Sequence, residues 1–181
     1  MKSQKELESL AMIYKDNILD FCFDLGIDPI FEERQILYAY STPEYGTMNM
    51  PREEEPFWSC IMLMHFTLTH TYAKTRVILP TYVGDFQQKW LESCKKIVNG
   101  PKAQACMSEL FHFDRAGFGV LGCTKSQWGC YGMNNQSARQ QGLAGIHSKY
   151  MCFLVDTEDV KVREAVVETT LNNSSKVIHL Q

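Results

Sequence analysis

An α+β fold is the expectation from the amino-acid sequence: an N-terminal helix, an antiparallel four-stranded meander with helices packed on one face, and a C-terminal strand–helix–strand extension. Three observations carry it. The chain opens on a capped amphipathic pattern, "SQKELESLAMIY". Its longest apolar run, "FWSCIMLMHFTLTHTYAKTRVILP", is rich in residues that favour strands. Helical spacings then recur in "DFQQKWLESCKKIVNG" and "TEDVKVREAVVETTLNN".

In the first segment Leu7, Leu10, Ala11 and Tyr14 fall at i, i+3, i+4 and i+7, one face of a helix, and Ser3 with Glu6 has capping-box spacing. "ILDFCFDLGIDPIF" mixes apolar and acidic residues around Gly26 and Pro29 and is expected to be a strand ending in a turn. "RQILYAYST" is expected to be a second strand. "TPEYGTMNMPREEEP", with three prolines and an acidic run, reads as an exposed loop. From Ile61 onward a strand would place Ile61, Leu63, His65, Thr67 and Thr69 on one face and Met62, Met64, Phe66, Leu68 and His70 on the other. A turn near Tyr72 to Arg76 and a short strand closed by Pro80 complete the meander. A helix follows, with Trp90, Cys94, Ile97 and Val98 on one face and Gly100-Pro101 as its stop. "AQACMSELFHFDRAG" is expected to be a third helix.

Residues 1–116 thus form the expected main domain. Residues 117–148, dense in Gly, Asn and Gln, read as either a long functional loop or a linker. Residues 149–181 read as strand, helix and strand.

Composition narrows the function classes. A net charge of −3 gives no basic field to attract nucleic acid. Neither a signal peptide nor a run of apolar residues long enough to span a bilayer is visible, so cytosol or nucleus is the expected compartment. Seven cysteines, an odd number with no C-x-x-C, suit reduced thiols used as small core residues. The sequons at Asn135 and Asn173 read as accidental in that setting.

The opening "QKELESLAMIYKD" resembles the start of RWD domains, in which E-L-x-x-L-x-x-I-Y-x-D/G precedes a meander; the matching residues are Glu6, Leu7, Leu10, Ile13, Tyr14 and Asp16. "HFTLTHTYAKTRVILP" is similar to the family's strand, tyrosine turn and next strand, with Tyr72 at the turn and Ala73 where the family has proline. "NGPKAQACMSELFHF" is similar to its last segment, and the resemblance covers residues 3 to about 115. It implies a fold like that of ubiquitin-conjugating enzymes without their activity, hence a non-catalytic protein-interaction module serving as adaptor or subunit of a larger intracellular complex, with other proteins as partners in a hetero-oligomer.

Read for chemistry, the strongest enzyme signal is the stretch "MHFTLTH". His65 and Thr67, as His-x-Thr on a strand, would be half the site of a 2H phosphodiesterase, but no second His-x-Thr or His-x-Ser is present. That is the alternative reading, against half-buried histidines of a sheet. His65 and His70, at odd separation, would face opposite sides of a strand and could not share a metal, so no metal and no cofactor is assigned. For binding, the acidic run Glu53, Glu54 and Glu55 reads as a solvated loop or a face for a basic partner. Trp128, Tyr131 and Met133, large apolar residues in a glycine-rich segment, suggest docking onto the domain or onto a partner. Phe57, Trp58, Met62, Met64 and Phe66 are expected in the core.

Overall fold

The computed structural model describes residues 4–70, 72–79, 84–114, 117–120, 127–132, 148–170 and 174–181. Three helices come first: α1 (Gln4–Lys15), α2 (Ile18–Asp24) and α3 (Phe31–Ser41). They are followed by β1 (Gly46–Met50), α4 (Trp58–Thr69), β2 (Lys74–Leu79) and α5 (Gly84–Val98). A short hairpin, β3 (Phe111–Phe113) and β4 (Phe118–Val120), leads to β5 (Gln127–Gly132), β6 (Tyr150–Val155), α6 (Val160–Thr170) and β7 (Ser174–Leu180).

The main sheet is parallel throughout, in the order β1-β7-β6-β2-β5. This overturns the expected antiparallel meander, and with it the layout that the RWD resemblance implies. The reason lies in α4. Its 12 residues are apolar nearly all round, and every one from Ser59 to Thr69 is buried. An uninterrupted apolar run has no period to distinguish a buried strand from a buried helix; 12 residues without Gly or Pro exceed a usual strand of about 4–8 and suit a helix. As a helix, the segment becomes the crossover between β1 and β2, and a helical crossover brings the next strand out in the same direction.

Parallel strands covered on both faces carry apolar residues on both. In β6, Cys152 and Leu154 join Ile178 of β7 and the large core that includes α4, whereas Met151, Phe153 and Val155 pack with Val162 and Val166 of α6. β7 lies between β1 and β6, so the C-terminal strand–helix–strand enters the same sheet as the first half of the chain.

Two more expected strands are helices. α2 is capped by Asn17, whose side chain accepts from Leu19 N, and ends at Gly26 (φ 73°). There the N–H of Ile27 reaches Cys22 O and that of Gly26 reaches Phe23 O, the paired bonds of a Schellman motif. α3 has Glu33 returning to the Ile30 N–H at 2.7 Å. Residues 104–110, expected to be helical, form successive turns. The expected loop 117–148 contributes β4 and β5, the latter an edge strand beside β2. The other helical and strand segments read from the sequence appear as α1, β2, α5, α6, β6 and β7.

Candidate functional site

The residues singled out in the sequence do not meet. His65 and Thr67 sit on α4, two positions apart, and so point about 200° away from each other around the helix axis. Both are buried and already bonded. The His65 ring lies with Nε2 2.8 Å from Tyr14 O and Nδ1 3.0 Å from the Tyr40 hydroxyl, and Thr67 Oγ1 donates to Leu63 O at 2.7 Å beside Thr75 Oγ1. Nε2 faces a carbonyl and therefore carries the proton, while the Tyr40 hydroxyl lies beside Nδ1 and donates to Met62 O at 3.1 Å. Burial lowers the His65 pKa to about 4, so the ring is neutral near pH 7. The strand-borne His-x-Thr pair of the phosphodiesterase reading does not form, because the segment is a helix.

Of the acidic run, Glu53 acts inside the fold: its carboxylate accepts from Trp58 N at 2.7 Å, from Ser59 N at 3.0 Å and from the Ser59 hydroxyl, satisfying the start of α4. Glu54 and Glu55 are exposed, and the Glu54 carbonyl accepts from Lys89 Nζ. Trp128 and Tyr131 lie on β5, in register with Thr75 and Ile78 of β2. Their side chains, and Met133 entirely, lie outside the described residues. Met62, Met64 and Phe66 are core residues as expected, whereas Phe57 is exposed. Asp114 closes the β3–β4 turn, accepting from Gly117 N at 2.9 Å.

Cys22 and Cys152 are buried, and burial pushes both thiols up to about 12. Among the described residues no group of three or more His, Cys, Asp or Glu side chains is arranged to hold a metal. No helix among them is long and apolar enough to cross a membrane.

Two features do stand out. The first is a cleft of ≈ 290 Å³, its mouth included, lined by Lys15, Tyr40, Ser41, Glu44, His65, Phe66, His70 and Lys176. Residues at the C-terminal ends of α1, α3 and α4 meet there, so three negative helix ends face one space. Lys176 answers part of that field: it is 2% exposed, donates through Nζ to the carbonyls of Tyr40 and Pro43, and lies 5.2 Å from the centre of the Tyr40 ring. Burial pushes its pKa below the ordinary lysine value. Glu44 sits at the mouth, where Lys15 Nζ reaches its Oε1 at 3.1 Å and Tyr45 donates to the same oxygen at 3.0 Å. Burial alone would raise the Glu44 pKa; the bonds from Lys15 and Tyr45 outweigh it and hold the carboxyl below its usual range.

The charged groups and the histidine at the cleft's rim, Lys15, Glu44, His70 and Lys176, come from segments far apart in the chain, which is why no spacing in the sequence collects them. The one local signal is a lysine followed by Val177 and Ile178 in the buried strand "SKVIHL".

The second feature is a set of exposed apolar side chains on the first three helices. Met12 and Ile13 on α1, Phe23 on α2, Ile30 at the cap of α3, and Phe31 and Tyr38 on α3 are all exposed. Phe31 and Tyr38, seven residues apart, share one face of that helix.

The chain matches no protein-family model and no curated protein sequence.

Proposed function

We propose that this chain is a non-catalytic protein-interaction module, an adaptor or subunit of a larger intracellular assembly, and that its contact surface is the outer face of α1–α3. The observation that carries this reading is the exposure of large apolar side chains there: Phe31 is 70% exposed, Met12 67% and Tyr38 57%. Side chains of this size gain by leaving water, and aromatic residues on a rigid element are the usual anchors of a protein interface. Glu32, exposed beside Phe31, suits a partner with an apolar centre and a basic residue at its rim. The state of His65, Thr67, Cys22 and Cys152, each inside the core, supports a role carried by the surface.

The test is affinity purification of the full chain and of the double variant Phe31→Glu, Tyr38→Glu, read by quantitative mass spectrometry. Proteins recovered with the wild type and lost with the variant support the reading. An unchanged set of co-purifying proteins, with the variant still folded by circular dichroism, refutes it.

A further inference from the structure

His70 is the C-cap residue of α4, 6% exposed, with its ring stacked on Phe66 at 4.1 Å and lying 5.0 Å from that of Tyr150. Its Nδ1 lies 3.2 Å from Phe66 O and 3.0 Å from Thr69 Oγ1. The Thr69 hydroxyl donates its proton to His65 O at 2.8 Å, so it can only accept from His70. Both neighbours of Nδ1 are therefore acceptors, and Nδ1 carries the ring proton. Burial lowers the His70 pKa, which keeps the ring neutral near pH 7. What remains at Nε2 is a bare lone pair, buried, without a hydrogen-bond partner among the described residues, and lining the cleft. At 3.5 Å from it stands Oε1 of Glu44, a second acceptor, which Lys15 and Tyr45 now serve. Two acceptors facing each other at the convergence of three helix C-termini call for a donor, and for a positive one.

We propose that the cleft is a binding site for a primary ammonium group, held between His70 Nε2 and the Glu44 carboxylate. An ammonium head is about the size of a water molecule and fits the floor of so small a cleft, and the chain that bears it leaves through the open mouth. Its three N–H donors supply what Nε2 lacks and can take the place of Lys15 on Glu44, in a cleft that Phe66 also lines. Lys15, whose Nζ now lies on Glu44 Oε1, is the internal competitor that an incoming amine displaces. Lys176, fixed on two backbone carbonyls, stays in place. The same chemistry is offered by a free alkylamine and by a lysine side chain of another protein. This site is separate from the apolar face of α1–α3.

The experiment titrates the full chain with butane-1,4-diamine and, in parallel, with Nα-acetyl-lysine methylamide. The nitrogen resonance of His70 Nε2 is followed by long-range proton–nitrogen NMR, and affinity is measured by calorimetry. Binding is expected to move the Nε2 resonance away from the free lone-pair position. The affinity should fall at least about tenfold in Glu44→Gln, the loss of one charge-assisted bond, and rise in Lys15→Met. Both substitutions are at the cleft mouth and leave the core untouched, so thermal unfolding confirms that each variant is folded. Preference for the diamine identifies a free amine as the ligand class, and preference for the lysine derivative identifies a partner's lysine. If neither amine moves the Nε2 resonance, or if Glu44→Gln binds as well as the wild type, the orphaned lone pair is met by water alone and the proposal is wrong.

Discussion

Lowering the pH from 7 to 5 should weaken this fold through His65. In the folded chain the ring is enclosed by Tyr14, Phe21 and Tyr40, with edge-on contacts at 5.7 Å to Phe21 and 5.6 Å to Tyr40. Burial is the main cause that lowers its pKa from 6.5 to about 4; the carbonyl of Tyr14, on Nε2, acts in the opposite direction, and neighbouring His70 and Lys176 lower it further. The unfolded chain takes up a proton near the ordinary histidine value, whereas the folded chain refuses it until about pH 4. The stabilisation is therefore complete above about 6.5 and is lost as the pH falls from there toward 4. Such a shift is worth about 3 kcal/mol in full, and about 2 kcal/mol between pH 7 and pH 5. His70 and His179 are lowered by burial too and add loss of the same sign. Urea unfolding at the two pH values, in the wild type and in His65→Gln, isolates the His65 share. The variant should be less stable at pH 7 and should lose about 2 kcal/mol less than the wild type on acidification. Equal losses in the two proteins would refute the reasoning and move the pH dependence elsewhere.

Other perturbations follow from single contacts. Gly26→Ala should destabilise by more than about 1 kcal/mol, because the residue has φ 73° and an added Cβ would lie 2.4 Å from Lys102 Cβ; differential scanning calorimetry reads this as a lower Tm. Glu53→Ala, which orphans two N–H groups and the hydroxyl at the start of α4, should cost about 1–2 kcal/mol, while Glu54→Ala should leave the urea midpoint nearly unchanged. Phe153→Ala removes a fully buried ring between β6 and α6 and should cost about 3–5 kcal/mol in the same assay.

The composition and periodicity of this chain determine much that is local. The stripe of Leu10, Ala11 and Tyr14 makes α1, the Trp90–Cys94–Ile97 face makes the inner side of α5, and the apolar runs at Tyr150–Val155 and Ser174–Leu180 make strands. Each of these is a short-range pattern whose meaning does not depend on what it packs against. Trp58–Thr69 is the opposite case. Its residues are apolar on every side, so neither period 2 nor period 3.6 is expressed, and only its place between β1 and β2, enclosed by α1, α2, α5 and the sheet, makes it a helix. That single element decides the topology, since the strand after it must run parallel to the one before.

The candidate sites divide the same way. Glu53 is visible in the sequence as part of an acidic run, but only the fold shows that its carboxylate closes a helix start. Lys15, Glu44, His70 and Lys176 have no relation in sequence, and a lone pair on His70 is orphaned only because Thr69 spends its proton on His65 and Phe66 offers a carbonyl. Local chemistry sets which residues favour helix or strand; long-range packing sets which polar atoms are left facing a cleft without a partner, because that depends on every neighbour the fold brings within reach of them.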